Sequence, residues 1–385
     1  MTSPRVALMV KPGSGNTGIS RYTSSLNDGL RDIGCLATVV PSAGAPLPAA
    51  VRHLVRRAGF DLDAFFASYP LSVEIGDHEI LHLTTQTQAT VLVTQRFKVP
   101  VIVTVHDIIP YILRADPVMG MFRHPIDEAC YRAALVGLKR ADAIVAVSNY
   151  TRRMLIDVLG LSPDRIHVTQ EAVDHSIFRP IDVNPNISER WKLKPGRQRL
   201  LYVGSDDPRK NLVTLVRALG LVRQTNAECE LLVVGVSQFS AQHAALQILI
   251  ADLGLTDSVH FLSGISDDDL ALLYNLADLT VMPSLWEGFG LPALEAMACG
   301  RAVVVANATS LPEVVGDAAR LVAGPDPTEM ALAIVTLLNN SAERLRLGAA
   351  AHTRSRSFTW EATARATVAV YELVLREKKS KATSY

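Results

Sequence analysis

Cysteine, net charge and long apolar runs are all scarce in this chain, and each shortage removes a class of protein. Its 385 residues hold four cysteines, Cys35, Cys130, Cys229 and Cys299. They lie far apart with no paired spacing, which argues against a zinc site or a secreted disulfide framework and fits free thiols in a reducing cytoplasm. The 38 basic and 38 acidic residues cancel, so no global field points to nucleic acid, and specificity must come from local groups. No apolar run approaches the ~18 residues needed to span a bilayer. The first one, Val6 to Val10, is too short for a signal-peptide core and meets Lys11 and Pro12, so it reads as a strand. These features predict a cytoplasmic protein, at most peripheral at the inner face of a membrane. Also missing is the dinucleotide fingerprint. Gly13 to Tyr22 follows the first strand, but its glycines are not spaced as Gly-x-Gly-x-x-Gly and no acidic residue ends a second strand at the ribose-binding distance. The segment could cradle a phosphate, and a plain strand-to-helix turn explains it equally well.

What is present is alternation. Short β-branched runs, Val6 to Val10, Ala37 to Val40, Ile80 to Leu83, Val101 to Val105 and Ala143 to Val147, recur between longer helical patterns. Such alternation predicts a parallel sheet with helices on both faces. After Phe178-Arg179-Pro180 come the turn formers of 182–186, closed by Pro195-Gly196, and the pattern then restarts. Leu200 to Val203, Glu230 to Val234, Val259 to Phe261, Leu279 to Met282 and Ala302 to Val305 form the second set. The expected organisation is a doubly wound domain over 1–182, a linker over 183–196, a second such domain over 197–359, and over 360–385 a helix whose polar end, Lys378 to Tyr385, is frayed. Two domains of this size imply a cleft between them. In the terminal helix Ala364, Val368, Tyr371 and Leu375 recur at helical spacing, giving one apolar face.

The most informative segment runs from Glu287 to Glu295. Two carboxylates bracket a glycine-framed turn, Gly288-Phe289-Gly290, which follows the strand-like run Asp278 to Met282. The turn therefore falls at the carboxyl end of a strand, where open α/β sheets bind ligands. Gly288 and Gly290 let backbone amides approach a ligand, and Pro292 suits a helix start, so Leu291 to Ala298 reads as a helix aimed at the turn. Helix N-termini attract anions. A purely structural turn would explain the glycines and Pro292, but carboxylates in apolar surroundings call for partners.

Three further groups bear on chemistry. His106-Asp107 ends the strand Val101 to Val105, where a histidine can donate to a sugar hydroxyl or phosphate. Arg209 and Lys210 come just ahead of the helix beginning at Leu212, so two cations and free backbone amides can hold a diphosphate together. Asp267-Asp268-Asp269 has the look of an acidic metal motif. Ser266 or Asp267 followed by Leu270, Leu272 and Leu273 is better read as a capped helix start, which leaves the chemistry without a metal or other cofactor.

With these residues in view, the chain resembles the retaining glycosyltransferases of family GT4, which have the two-domain GT-B fold. The resemblance covers nearly the whole chain. It is strongest in the Glu-x7-Glu motif at Glu287 and Glu295, from Pro283-Ser284 through Ala296-Met297-Ala298-Cys299-Gly300 to Ser310-Leu311-Pro312-Glu313. It implies that Glu287 and the amides of Gly288, Phe289, Gly290 and Leu291 bind the donor sugar. Glu295 would bind the ribose, and Arg209 and Lys210 the diphosphate. His106 would lie near the transferred sugar, Gly18-Ile19-Ser20-Arg21-Tyr22 looks like the first-loop signature with Gly18 at the donor, and Phe358 to Glu361 resembles the start of a helix crossing back to the N-terminal domain. Ser205 stands where some members carry a second cation, so Arg209 and Lys210 would neutralise the diphosphate alone.

The implied function is a metal-independent hexosyltransferase acting with retention, taking a UDP- or GDP-sugar as donor and a sugar or lipid-linked hydroxyl as acceptor. Such an enzyme would serve polysaccharide, glycolipid or glycoconjugate synthesis. A nucleotide-sugar epimerase on the same architecture, or a non-catalytic sugar-nucleotide-binding protein, would share most of these features. Val51 to Phe66 carries Arg52, Arg56 and Arg57 among Leu54, Val55, Phe60, Phe65 and Phe66. That pattern could form a basic, apolar face for a lipid-linked acceptor at a membrane, but such a stretch is more often an ordinary surface helix.

Overall fold

Uninterrupted runs of Val, Ile, Leu and Ala with no polar alternation form strands covered on both faces, and strands covered on both faces assemble in parallel. The computed structural model describes residues 4–10, 18–42, 53, 56–57, 61–122, 124–235 and 240–383. It contains two six-stranded sheets in which every strand pair is parallel. Residues 13–17, and residues 51, 52, 54, 55 and 58–60 of the basic, apolar stretch that begins at Val51, fall outside the described residues. Of that stretch, Phe65 and Phe66 lie on the short helix Leu62–Ser68, whose start is capped by the Asp61 carboxylate.

The chain divides into two compact units, one of Met1–Asp116, Gly120–Glu171 and Trp360–Tyr385, the other of Pro117–Met119 and Ala172–Thr359. In the first, β1 (Arg5–Val10), β2 (Leu36–Pro41), β3 (Ile80–Leu83), β4 (Val101–Val105), β5 (Ala143–Ala146) and β6 (Ile166–Val168) are ordered β2-β1-β3-β4-β5-β6. The second contains β7 (Arg199–Val203), β8 (Glu230–Val234), β9 (Val259–Leu262), β10 (Leu279–Met282), β11 (Ala302–Ala306) and β12 (Arg320–Val322). Their order is β12-β11-β10-β7-β8-β9.

The passage from the first unit to the second falls between Glu171 and Ala172, ahead of the 183–196 stretch expected as the linker. That stretch is packed within the second unit. Leu193 and Ser188 are buried, and Arg190 pairs with Asp269 at 2.7 Å. Its prolines and asparagines mark irregular backbone, including the 3-10 turn Pro185–Trp191, and irregular backbone need not be loose.

The returning helix, Trp360–Thr383, belongs to the first unit and lays Ala364 and Tyr371, fully buried, against Val6, Leu26 and Leu30. It continues past Lys378, where fraying was expected; the Lys378 ammonium reaches the Lys98 carbonyl. No helix among the described residues is long and apolar enough to cross a membrane.

One close approach orders the edge of the first unit. The helix Pro125–Leu138 lies so near the 3-10 turn Gln86–Thr90 that a Cβ on Gly137 would stand 1.9 Å from the Ala89 carbonyl oxygen. Backbone on both sides leaves no flexible side-chain end to yield. Gly137→Ala is therefore expected to destabilise the protein by at least roughly 1–3 kcal/mol, as overpacking does, read as a lowered urea midpoint.

Candidate active site

In the second sheet the chain runs from β7 outward through β8 and β9, then returns to place β10 on the other side of β7. The loops leaving β7 and β10 thus diverge to opposite sides. Such a switch point opens a crevice at the carboxyl ends of the two strands. Arg209 and Lys210 follow β7, and Glu287 follows β10.

The loop after β7 is shaped by local hydrogen bonds. Asp207 is buried and caps the 3-10 turn Pro208–Lys210, accepting from the Arg209 backbone N–H at 3.1 Å and from Arg209 Nε at 3.0 Å. Arg209 Nη1 also donates to the Trp286 carbonyl at 3.0 Å, while its own carbonyl accepts from Leu285 N–H at 2.9 Å. Asn211 adopts the left-handed conformation, with φ 58°, which asparagine tolerates better than most residues. Its side-chain NH2 donates to the carbonyls of Pro283 at 3.1 Å and Gly324 at 2.9 Å, tying the loops after β7, β10 and β12 together.

Lys210 Nζ donates to Glu287 Oε1 at 2.6 Å, and Arg209 Nη1 stands 3.9 Å from Glu287 Oε2. Burial alone would raise the Glu287 carboxyl, but the charges of Lys210 and Arg209 outweigh it and hold the group below its ordinary 4.5. For Lys210, burial dominates and lowers the ammonium below its ordinary 10.5, although Glu287 opposes it. A cation already stripped of much of its hydration is a strong partner for a phosphate.

The Glu287–Gly290 turn is held from behind. Thr309 Oγ1 accepts from Glu287 N–H at 3.0 Å, and the buried Ser310 hydroxyl is 3.0 Å from the Glu287 carbonyl and 2.8 Å from that of Phe289. The Phe289 ring is buried edge-on to Phe358. Gly290 has φ 114°, a backbone shape that disfavours any Cβ, and begins the helix Leu291–Ala298, with Pro292 in its first turn. Glu295 lies on that helix, 2% exposed, and accepts from the Tyr274 hydroxyl at 2.8 Å.

The structure therefore brings Arg209, Lys210, Glu287, Gly288, Phe289, Gly290, Leu291 and Glu295 into one region of the second unit. Gly18 and His106 belong to the first. Gly18 is exposed and opens the helix Gly18–Asp32. His106 ends β4 with both ring nitrogens occupied: Nδ1 is 2.8 Å from Glu171 Oε1 and Nε2 is 3.0 Å from the Thr84 carbonyl. Neither nitrogen is left to a ligand in this arrangement. Burial would depress the ring, yet the Glu171 hydrogen bond and charge, with Thr84 and Asp107, set it above its ordinary 6.5. The acidic run after Ser266 is a helix start, with the Ser266 hydroxyl accepting from Asp269 N–H. Asp207, Asn211, Thr309, Tyr274 and Glu171 escaped the sequence reading, and Ser310 entered it only as part of the stretch Ser310 to Glu313, with no role given. Of the five, Asn211 carried a signal, since it follows the cation pair directly.

Residues 16–177 match the family Glycosyltransferase Family 4, and residues 183–354 match Glycosyl transferases group 1. An MMP alpha-(1->4)-mannosyltransferase of Mycolicibacterium hassiacum is 31% identical over 77% of this chain and 71% of that protein. The D-inositol 3-phosphate glycosyltransferase 2 of Catenulispora acidiphila is 30% identical over 96% and 93%. The chain spans a smaller share, 33%, of the longer serotype-specific mannosyltransferase WbdA of Escherichia coli, at 31% identity over 71% of this chain. Sucrose-phosphate synthase from Thermosynechococcus elongatus shares the fold with a TM-score of 0.76 at 22% identity, over 97% of this chain and 100% of that one. Anabaena HepE in complex with UDP-glucose does so with 0.73 at 19%, over the same shares. Two parallel α/β domains with these matches define a glycosyltransferase of the GT-B fold. The chain belongs to glycosyltransferase family 4.

Removing Lys210 leaves the buried Glu287 carboxylate with Arg209 at 3.9 Å as its nearest cation. Lys210→Ala should cost roughly 3 kcal/mol in urea unfolding, the low end for a broken buried pair, and Lys210→Arg much less. Because the Glu287 pKa is depressed, its contribution is present above pH 4.5 and is lost as pH falls through the folded value. An acid-unfolding midpoint shifted upward in Lys210→Ala checks this.

Proposed function

We propose that this enzyme transfers a hexosyl group, of mannose or glucose type, from a nucleoside diphosphate sugar to a hydroxyl acceptor with retention of configuration and without a metal. The observation that carries the reading is the contact of 2.6 Å between the partly buried Lys210 and the buried Glu287 at the β7/β10 switch point, flanked by Arg209. Without donor, the two cations are balanced by Asp207 and Glu287. An arriving diphosphate competes for Lys210 and Arg209. The Glu287 carboxylate is then released to accept hydrogen bonds from the sugar hydroxyls, alongside the amides of Gly288, Phe289, Gly290 and Leu291. Glu295, set on the helix that starts at this turn, takes the ribose, exchanging the Tyr274 hydroxyl for a ribose hydroxyl or accepting from both.

In the reaction, the bond from the anomeric carbon to the phosphate oxygen breaks as the acceptor oxygen bonds to the same face. The departing phosphate oxygen takes the acceptor's proton. The protein supplies position and charge, stabilising the diphosphate as it gains negative charge and the sugar as it gains positive charge. Mannosyl transfer by the relative from Mycolicibacterium hassiacum and UDP-glucose in the Anabaena structure support a hexose donor. A polysaccharide, glycolipid or glycoconjugate hydroxyl as acceptor, with synthesis at the inner membrane face, completes the proposal.

Thermal stabilisation by a panel of UDP-, GDP- and ADP-sugars without added metal should single out one nucleotide class. At 100 times Kd the gain is about 2.7 kcal/mol, and no shift with any member overturns the reading. Glu287→Ala should abolish transfer while nucleotide binding stays measurable by calorimetry; unchanged turnover would sink the assigned role. In Glu295→Ala the donor KM should rise more than kcat falls, and an unaltered KM would count against ribose binding.

A further inference from the structure

Glu171 and His106 form a buried pair that the donor site does not use. Glu171 is 6% exposed and His106 8%. Both neighbours of the ring, the Glu171 carboxylate and the Thr84 carbonyl, are acceptors. A ring protonated on both nitrogens fills both contacts, whereas a neutral ring beside an ionised carboxylate leaves one of them without a proton. Other groups facing His106 are few. Asp107 adds negative charge, the Gln86 side-chain oxygen accepts from the His106 backbone N–H at 3.3 Å, and the Tyr22 ring stands perpendicular to the imidazole at 4.8 Å. His82, held neutral by burial with a pKa near 3, brings no opposing charge at neutral pH.

The pair also sits where the chain leaves and re-enters this unit. Glu171 is the last residue before the outward passage, and Trp360 is the first after the return. The Trp360 ring is edge-on to Tyr22 at 5.8 Å, and Thr363 Oγ1 donates to the Gln170 carbonyl at 2.8 Å. Beneath them runs a buried polar line. The Tyr22 hydroxyl is 3.2 Å from Thr104 Oγ1, which is 2.8 Å from His82 Nε2, and His82 Nδ1 is 2.6 Å from the Tyr371 hydroxyl on the returning helix.

We propose that Glu171 is a positioning residue for sugar transfer: its carboxylate keeps His106 an imidazolium, and the charged pair fixes the ends of β3, β4 and β6 together with both chain passages. The proposal rests on the transferase reading above and changes the part His106 plays in it. The ring spends both N–H groups on the protein and orders the rim of the first unit, while substrate contact falls to the backbone and neighbours that it holds. Sign follows from the raised pKa. The contribution of the pair is fully present below pH 6.5 and is lost as pH rises through the folded value of His106.

The test compares full-length wild type with Glu171→Gln. The glutamine amide can donate to Nδ1 while Nε2–H still donates to Thr84, so every contact is filled with a neutral ring. Nitrogen-15 NMR of wild type should show His106 doubly protonated at pH 7, titrating on the alkaline side of 6.5. In Glu171→Gln that signature should be gone at pH 7. Its kcat should fall roughly 10- to 100-fold, the scale of a small misplacement, with donor KM within about two-fold. The alkaline limb of the kcat profile, and the loss of melting temperature between pH 6 and pH 9, should flatten with it. A neutral His106 in wild type at pH 7, or variant profiles that superimpose on wild type, overturns the proposal. Should Glu171→Gln fail to fold, the wild-type titration alone decides. Should neither protein act on any nucleotide sugar, the transferase reading fails, and the NMR and melting comparisons still decide the state of the pair.

Discussion

A single ammonium–carboxylate contact, Lys210 on Glu287 at 2.6 Å, organises the carboxyl edge of the second sheet. Two loops from opposite sides of a switch point would have little reason to stay close. Water removed from both charges supplies one, because a buried charge without its partner is costly. Asp207 shapes the turn that delivers the lysine, Ser310 and Thr309 brace the turn that delivers the glutamate, and Asn211 joins both to the loop after β12. Polar groups thus do here what apolar packing does in the sheet beneath.

The first unit solves a related problem differently. A buried histidine and threonine of its sheet join two tyrosines from the helices Trp360–Thr383 and Gly18–Asp32 in one hydrogen-bonded line, from Tyr371 through His82 and Thr104 to Tyr22. Neutral groups form that line, so it tolerates burial without an ion pair. Charge enters only at its upper end, where His106 meets Glu171. The helix Trp360–Thr383 is therefore joined to the sheet by specific bonds as well as by its apolar face.

Much of this architecture was legible beforehand, because continuous Val-Ile-Leu runs leave little doubt about central strands. The ten longer strands appear in the sequence as such runs, and the helix Leu291–Ala298 follows from Pro292 and its glycine turn. The edge strands β6 and β12, three residues each, were not legible, since Ile166-His167-Val168 and Arg320-Leu321-Val322 are too short for a pattern. In the site, Arg209, Lys210 and Glu287 were marked by their place at strand ends. Glu171 was not, because 65 residues separate it from His106 and only the β4-β5-β6 order brings them together. The same holds for Tyr274 on Glu295 and Ser310 behind Glu287. A lone polar residue after an edge strand or within a helix gives no sign of which distant group it will meet.

Asn211 has a further consequence for how such an enzyme can diverge. One amide group, with both hydrogens committed, fixes the carbonyls of Pro283 and Gly324, and its oxygen accepts from Thr214 at 2.7 Å. Three loops from strands far apart in the chain therefore share one ruler. Inserting or deleting a residue in any of them shifts a carbonyl that the other two need, so the length of each is set by all. New donor preferences at this edge must come from side chains exchanged in place, while growth of the chain is channelled to loops that the amide does not measure.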